Sequence, residues 1–291
     1  MHFLHSKLRL AGITLLAVIL SGCSSISNPD DTTRSGTNSY AAGTFVWHEL
    51  ITHDIETARR FYGELFGWEF EKVADREGKP YVLAKLNGRY AAGILQLERP
   101  ADGANYSRWL GYMTVNDIDA ALVTTHSAGG TVIQSARDMG KIGKVAAIQD
   151  SQSAVLGLIE TRFDASKYTL NDAKGAVVWD ELLALDNQNA AAFYSELAGY
   201  NINLVERRGG EYIFLETDGL QNAGILQNPF EATDPVWLSY FAVSDPADIV
   251  AKTRDLGGKV LLAPSATLRE GTIALIQDPD GAVLALQKWP L

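Results

Sequence analysis

The sequence predicts an α+β protein in which one domain occurs twice in tandem, each copy a curled, mostly antiparallel β-sheet with helices outside. A strand with the pattern Trp-x-Glu-Leu recurs at a constant offset, since 179 − 47 and 194 − 62 both give 132. Within each copy, the order strand, helix and three short strands occurs twice, so the chain contains four βαβββ modules. Sheets of this kind bury one face under helices and leave a concave face opposite.

The repeat extends over nearly the whole of both copies. Matching segments are 47–50 with 179–182, 61–62 with 193–194, 93–96 with 224–227, 109–112 with 237–240, and 148–150 with 276–278. We therefore place the first domain at residues 43–161 and the second at 173–290, joined by a linker at 162–172. A length of 291 residues agrees with two domains.

The elements of the first domain follow from periodicity and capping residues. Residues 44–52 predict a strand, and Asp54 predicts the N-cap of a helix that stops at Gly67. Three strands follow near 68–73, 81–86 and 91–97. The second module has a strand at 110–115, a helix capped by Asp117 that ends at 129–130, and strands near 131–136, 145–149 and 155–160.

The second domain repeats these signals. Asp186 is its first predicted helix cap, and Asp245 precedes a proline at the first helical position of the next helix. Residues 278–281, Asp-Pro-Asp-Gly, predict a tight turn between two strands. The equivalent turn at 150–153 lacks the proline and the glycine, which predicts a looser turn. The Phe-Tyr pairs at 61–62 and 193–194 are predicted helix core, and Trp109 and Trp237 are predicted to pack against helices.

The first 42 residues do not belong to the predicted fold. Lys7 and Arg9 precede an apolar stretch at 10–20 that is too short to span a bilayer, as in a signal peptide. Residues 20–23, Leu-Ser-Gly-Cys, resemble the lipobox of bacterial lipoproteins, in which the cysteine is lipidated. We therefore expect a signal peptide at 1–22, lipidation of Cys23 and a flexible tether at 23–42, with an ordinary cleaved signal as the alternative. Ser24 favours sorting to the outer membrane, facing the periplasm, where two membranes are present.

Charge bounds the partners. The net charge is −10, and loss of Lys7 and Arg9 with the signal peptide makes it −12. An acidic chain argues against binding of nucleic acid and against docking on anionic lipid. We expect membrane attachment through acyl chains alone, and the sequence identifies no protein partner. Because Cys23 is the only cysteine, no disulfide within the chain is possible.

The pattern W-x-E-L-x-x-x-D, followed by Phe-Tyr, by the W-L-x-Y strand start and by the D-P-D-G turn, resembles the vicinal oxygen chelate superfamily. This superfamily includes glyoxalase I, bleomycin-resistance proteins and extradiol dioxygenases, and the resemblance covers both domains. It implies a cup on each sheet with a divalent metal at its floor. The implied metal ligands are His or Glu near the start of each module's first strand, and Glu on each module's last strand.

The residues at these implied ligand positions cannot hold a metal through nitrogen or carboxylate. The positions fall on Trp47, Leu110, Gly157 and a site at or next to Gly93 in the first domain. In the second domain they fall on Trp179, Leu238, Ala285 and a site at or next to Gly224. We therefore expect no metal and no other cofactor. A rearranged site for Ni, Zn, Fe or Mn is the alternative.

Alternation along the strands places three polar or aromatic side chains in each cup. These predicted ligand-binding residues are Trp47, Glu49 and Tyr112 in the first cup, and Trp179, Glu181 and Tyr240 in the second. A desolvated carboxylate has a raised pKa, so Glu49 and Glu181 are also candidate general bases. The alternatives are that the tryptophans plug the cups, and that the glutamates are held by backbone donors or by an arginine across the sheet.

Three functions remain open at this point. The first is binding of a small aromatic or cationic molecule without metal by an envelope lipoprotein. The second is a glyoxalase-type lyase or isomerase, or a dioxygenase, with a rearranged site. The third is an envelope scaffold whose cups are filled.

Overall fold

A computed structural model describes residues 41–73, 78–162, 173–207, 210–230 and 233–290. The predicted signal peptide, the lipidation site at Cys23, nearly all of the tether and most of the linker lie outside these residues. Within the described part of the chain, no helix has the length and apolar character needed to cross a membrane.

The first domain contains eight strands and two helices in the predicted order. The first module consists of β1 (Phe45–Thr52), α1 (Ile55–Phe66), β2 (Glu69–Lys72), β3 (Tyr81–Leu86) and β4 (Arg89–Gln96). The second consists of β5 (Arg108–Thr114), α2 (Ile118–Ser127), β6 (Thr131–Asp138), β7 (Gly143–Gln149) and β8 (Val155–Thr161).

The second domain has the same elements. Its first module consists of β9 (Val177–Ala184), α3 (Asn187–Ala198), β10 (Asn201–Arg207), β11 (Gly210–Thr217) and β12 (Leu220–Gln227). Its second consists of β13 (Val236–Val243), α4 (Pro246–Asp255), β14 (Lys259–Leu262), a 3₁₀ turn (Arg269–Gly271), β15 (Ile273–Gln277) and β16 (Val283–Lys288).

Each domain forms one open sheet of eight strands. The order is β2-β3-β4-β1-β5-β8-β7-β6 in the first domain and β10-β11-β12-β9-β13-β16-β15-β14 in the second. In each sheet the first and last strands of a module pair in parallel and the other neighbours are antiparallel, so the sheets are mostly antiparallel as predicted. The centre of each sheet therefore brings together the two module-starting strands, β1 with β5 and β9 with β13.

The predicted helix caps are confirmed. The carboxylates of Asp54, Asp117, Asp186 and Asp245 each accept hydrogen bonds from backbone N–H groups in the first turn of α1, α2, α3 and α4. These bonds satisfy donors that have no partner inside a helix, which is why aspartate is favoured at this position. The predicted end at Gly67 is also found, with a left-handed backbone, and α3 ends in the same way at Gly199.

The two domains share their main hydrophobic cores. One core joins α1 and strands β3 and β4 to strands β13, β15 and β16 of the other domain, with Phe66 stacked on Phe241. A second core joins α2 and strands β7 and β8 to α3 and strands β11 and β12. Because apolar side chains of both domains fill these cores, the domains pack as a pseudo-symmetric pair through their helix-bearing faces.

Two hydrogen-bond chains cross this interface in the same way. Trp109 Nε1 donates to the Tyr62 hydroxyl at 3.0 Å, and Tyr62 donates to Asp278 of the other domain at 3.0 Å. The counterpart runs from Trp237 through Tyr194 to Asp150 of the first domain. The Phe-Tyr pairs and both tryptophans are thus buried against helices, as predicted.

The turn at 150–153 is not loose, so this expectation is wrong. Asp150 is buried and accepts hydrogen bonds from the backbone N–H groups of Gln152 and Ala154, in addition to the Tyr194 hydroxyl. Ser153 adopts the left-handed backbone, φ 80°, at the position of Gly281. The buried aspartate and its cross-domain partner hold the turn without proline or glycine.

Candidate functional site

The helix-free face of each sheet forms a cup, and the predicted site residues lie in these cups. Trp47, Leu110 and Tyr112 belong to the concave cluster of the first domain, and Trp179, Leu238 and Tyr240 belong to that of the second. The register places Glu49 opposite Leu110 and beside Gly93, and Glu181 opposite Leu238 and beside Gly224. The structure therefore brings the three predicted residues of each cup onto adjacent strands.

The floor of the first cup is closed around Glu49. This carboxylate is buried and accepts a hydrogen bond from the Tyr81 hydroxyl at 3.0 Å. Tyr112 and Leu110 are also buried, whereas Trp47 is partly exposed above them. Glu49 is thus buried on the same strand as an indole that is open to solvent, two residues away.

The floor of the second cup is a connected polar network. Glu181, 1% exposed, accepts hydrogen bonds from the hydroxyls of Tyr212 at 2.7 Å and Tyr240 at 2.5 Å. Arg269 donates to the same carboxylate at 2.9 Å, and Trp179 Nε1 donates to the Tyr212 hydroxyl. The arginine across the sheet that we considered as a partner for Glu181 is therefore present, and the buried charge is compensated.

Electrostatics keep both tyrosines of this network protonated. Burial, together with the negative charge of Glu181, raises the pKa of Tyr212 and of Tyr240 above the usual value for tyrosine. Burial is the largest single influence on Arg269 and would lower its pKa, but the charge and hydrogen bond of Glu181, together with Tyr240 and Tyr212, outweigh burial and raise this pKa. Both hydroxyls therefore act as hydrogen-bond donors, and Arg269 stays a cation.

Arg269 reaches the cup from a strained segment. Arg269 and Glu270 both adopt positive φ angles, 43° and 57°, which are uncommon for residues with a side chain. Such conformations persist only where the surroundings hold them. The ion pair with Glu181 is the contact that accounts for this placement.

Tyrosine side chains occupy the space of two implied metal ligands in the first cup and of one in the second. A Cβ atom added to Gly93 would overlap the Tyr81 hydroxyl, and one added to Gly224 would overlap the Tyr212 hydroxyl. A Cβ on Gly157 would meet the ring of Tyr112 in the same way. A longer side chain at these positions would need the buried tyrosines to move, so the cups are built around tyrosine.

The residues of the cups do not fit the metal that the resemblance implies. Within the described residues, no group of three or more His, Cys, Asp and Glu side chains is placed to hold an ion. His48 lies on the opposite face, where its Nε2 contacts both carboxylate oxygens of Asp180 at 3.0 Å. His53 contacts the Leu97 carbonyl through Nδ1.

Four site residues escaped the sequence reasoning: Tyr81, Tyr212, Arg207 and Arg269. The tyrosines carried a signal, because 212 − 81 gives 131, close to the repeat offset. Arg269 carried none, since the residue at the equivalent position of the first domain is Lys141. Arg207 ends β10, and its guanidinium lies over the rings of Tyr212 and Phe214 at 4.5 and 4.9 Å.

Sequence comparison identifies relatives over nearly the whole chain. The profile of the bleomycin resistance protein-like N-terminal family matches residues 44–78. A putative glyoxylase, CFP32, from Mycobacterium bovis is 31% identical over 251 residues, covering 86% of this chain and 96% of its own. The anthracycline biosynthesis protein DauV from Streptomyces sp. is 27% identical over 256 residues, covering 84% and 92% of the two chains.

Solved structures share the fold at low identity. An extradiol ring-cleaving dioxygenase from B. fuscum matches with a TM-score of 0.55 and 11% identity, over 85% of this chain and 72% of that one. A Mn(II)-bound glyoxalase from Novosphingobium aromaticivorans matches with a TM-score of 0.52 and 12% identity, over 84% and 82%. Together with the repeated βαβββ modules, these relationships show that the chain is a glyoxalase-like member of the vicinal oxygen chelate superfamily.

Proposed function

We propose that this protein binds a small aromatic molecule at the mouths of its cups without a metal ion. The observation that carries the proposal is the replacement of the family's ligand positions by a tyrosine–glutamate cluster beneath a partly exposed indole. Apolar walls with a few fixed polar groups are typical of small-molecule sites. The floors are closed, so the ligand would rest on Trp47 or Trp179.

The charge of the second cup argues against a cationic ligand there. Glu181 would be the acceptor for a cation, but it is already paired with Arg269 and two tyrosine hydroxyls. An organic cation would have to displace a guanidinium from a desolvated carboxylate. An aromatic ligand needs no such exchange, and the relatives named for anthracycline biosynthesis support this class.

Tryptophan fluorescence tests the proposal on the purified full chain. We expect saturable quenching by an aromatic ligand, reduced in Trp179→Ala, lost when Trp47→Ala and Trp179→Ala are combined, and kept in Trp289→Ala, which removes a partly exposed tryptophan at the end of the second domain. Binding should be unchanged after a chelator wash. Nickel, zinc, iron or manganese retained at one ion per cup, with binding lost on its removal, would contradict the proposal.

A scaffold is the second candidate, because the floors of both cups are filled. Leu110, Tyr112, Leu238 and Tyr240 are all at most 3% exposed. Under this alternative, the large apolar side chains that the second domain exposes would bind a protein partner. Under this alternative no aromatic compound quenches the fluorescence, and Trp179→Ala leaves partner capture intact.

An enzyme with a rearranged site is the third candidate, and the name of the mycobacterial relatives favours glyoxalase chemistry. In this case Glu49 or Glu181 would act as general base. Turnover of a glyoxalase or dioxygenase substrate, abolished by Glu49→Gln or Glu181→Gln, would establish it.

We also propose that the protein is a lipoprotein of the bacterial cell envelope, anchored through Cys23 and facing the periplasm. Support comes from the charged, apolar and small-residue segments that precede this cysteine. Labelling with a fatty-acid analogue should mark the wild-type chain and fail in Cys23→Ala. A labelled Cys23→Ala chain, or an unlabelled wild type, would contradict the anchor.

A further inference from the structure

The guanidinium groups of two arginines lie over the same tyrosine ring of the second cup. Arg207 lies 4.5 Å from the centre of the Tyr212 ring, and Arg269 lies 5.9 Å from the same ring. Arg207 is exposed, whereas Arg269 is about one-third exposed and reaches down to the floor. Aromatic rings attract cations over their faces, so the Tyr212 ring stabilises the position of both guanidinium groups.

The charges at the mouth of the second cup do not cancel. Arg269 is neutralised by Glu181, with which it forms an ion pair at 2.9 Å. Among the described residues, no carboxylate forms an ion pair with Arg207. The cluster of Arg207, Arg269 and Glu181 therefore carries a net charge of one positive unit, in a chain whose net charge is −10.

An aromatic wall stands beside these cations. The rings of Trp179 and Phe214 are in contact at 6.1 Å between centroids, and Arg207 lies over Phe214 at 4.9 Å. A flat ring placed against this wall brings its substituent to the guanidinium. Arginine binds carboxylates through two parallel N–H donors, a geometry that ammonium groups do not offer.

From these contacts we infer that the second cup binds a small aromatic carboxylate, with the ring on Trp179 and Phe214 and the carboxylate on Arg207. The inference rests on the proposed function and narrows it to an anion. Arg269 supports the site by holding Glu181, which keeps the buried carboxylate from repelling the ligand. In the first domain the counterpart of Arg269 is Lys141, which is exposed.

Three probes of one shape and different charge test the inference: benzoate, benzamide and benzylamine. Each is titrated into the full chain in detergent by calorimetry. We expect benzoate to bind at least tenfold more tightly than the other two, and its affinity to fall as salt is raised. Benzylamine or benzamide binding as tightly as benzoate would overturn the inference and leave the proposed function standing. Absence of binding by all three would overturn both.

Variants separate a charge effect from a structural one. Arg207→Gln should weaken benzoate at least tenfold and leave benzamide unchanged, and Arg207→Lys should recover only part of the loss. Arg59→Gln is the matched control, because Arg59 is also a partly exposed arginine over a ring, that of Phe70 at 5.5 Å, outside the cups. Arg207 is exposed, so the fold is expected to survive, and circular dichroism checks this. Equal benzoate affinity in Arg207→Gln and wild type would reject the site.

Discussion

The two cups use the same strands and the same glutamate, yet different groups enter them. In the first, Glu49 on β1 accepts a hydrogen bond from Tyr81 on β3, across β4. In the second, Glu181 meets the equivalent Tyr212 and in addition Arg269, carried in by a strained turn. Both cups thus contain the tyrosine–glutamate contact, and the second adds the guanidinium of Arg269. One fold can bind different ligands when the side chains of its site differ and its strands do not.

The outer surfaces of the two domains also differ, because the second domain exposes more large apolar side chains. Of the eight large apolar side chains exposed among the described residues, seven lie in the second domain. Several replace charged residues of the first domain, as Leu204 replaces Lys72, Leu220 replaces Arg89 and Val236 replaces Arg108. The strand β10 that carries Leu204 is an edge strand, exposed along most of its length. The second domain is therefore the one suited to contact another molecule.

The largest expected effect on stability comes from placing aspartate at both of two equivalent positions, 48 and 180, that face each other between the domains. His48 and Asp180 are equivalent residues that face each other, both buried, and Ser239 also donates to Asp180. His48→Asp would place two carboxylates together, and we expect a loss of more than about 5 kcal/mol in unfolding free energy. Urea unfolding measures this, with His48→Asn, which keeps a donor, as the milder control. A loss below 1 kcal/mol would mean that the pair does not hold the domains.

Phe66 and its counterpart Ala198 test the shared cores. Phe66 is buried against Phe241 and Tyr62, so Phe66→Ala should cost about 3–5 kcal/mol. Ala198 lines a cleft of about 250 Å³ between α2 and α3, which gives a larger side chain room. We expect Ala198→Phe to change stability by less than about 1 kcal/mol. Equal costs in thermal unfolding would show that the two cores are packed alike.

Arg269→Gln compares the polar floors. The change leaves Glu181 buried with hydroxyl donors only, and we expect a cost of about 2–3 kcal/mol, reduced from a fully buried pair because Arg269 is one-third exposed. Lys141→Gln, at the exposed counterpart position, should cost less than about 1 kcal/mol. If Arg269→Gln and Lys141→Gln lowered the free energy of unfolding equally, the ion pair of Arg269 with Glu181 would not distinguish the second floor from the first.

The pH dependence of stability distinguishes the two cross-domain turns, each of which contains a buried aspartate, Asp278 or Asp150. Burial, with a further contribution from the charge of Asp280, raises the pKa of Asp278 to about 6; Asp150, which has Gln152 in place of that second acid, is raised mainly by burial. The folded chain therefore keeps the Asp278 proton to a higher pH than the unfolded chain. Its stabilising contribution is complete below pH 3.8 and is lost as pH rises through about 6.

Asp278→Asn removes this titration. Between pH 4 and 7, its stability should gain on that of the wild type by roughly 1–2 kcal/mol. Asp150→Asn should gain less over the same interval. Urea midpoints at several pH values measure both differences. Parallel pH profiles for Asp278→Asn and wild type would show that this carboxyl does not titrate in that range.

The prediction of local structure from sequence succeeded where the structure depends on residues that are close together in the chain. The four helix caps, the βαβββ order and the facing of Trp47 and Glu49 into the first cup follow from capping chemistry and from alternation along strands. The turn at 150–153 failed, because Asp150 is held by Tyr194, which lies 44 residues later in the chain. No local pattern carries that contact.

The sequence by itself determined that the chain is a duplicated glyoxalase-like protein, because repeats and residue identities are properties of the chain, and from the same identities it predicted cups without the family's metal ligands. Only the tertiary structure decided that the domains share their cores, that a tyrosine fills the space beside Gly93, and that Arg269 closes on Glu181. These contacts join residues far apart in sequence, and packing across sheets and domains selects among the many partners that local periodicity allows.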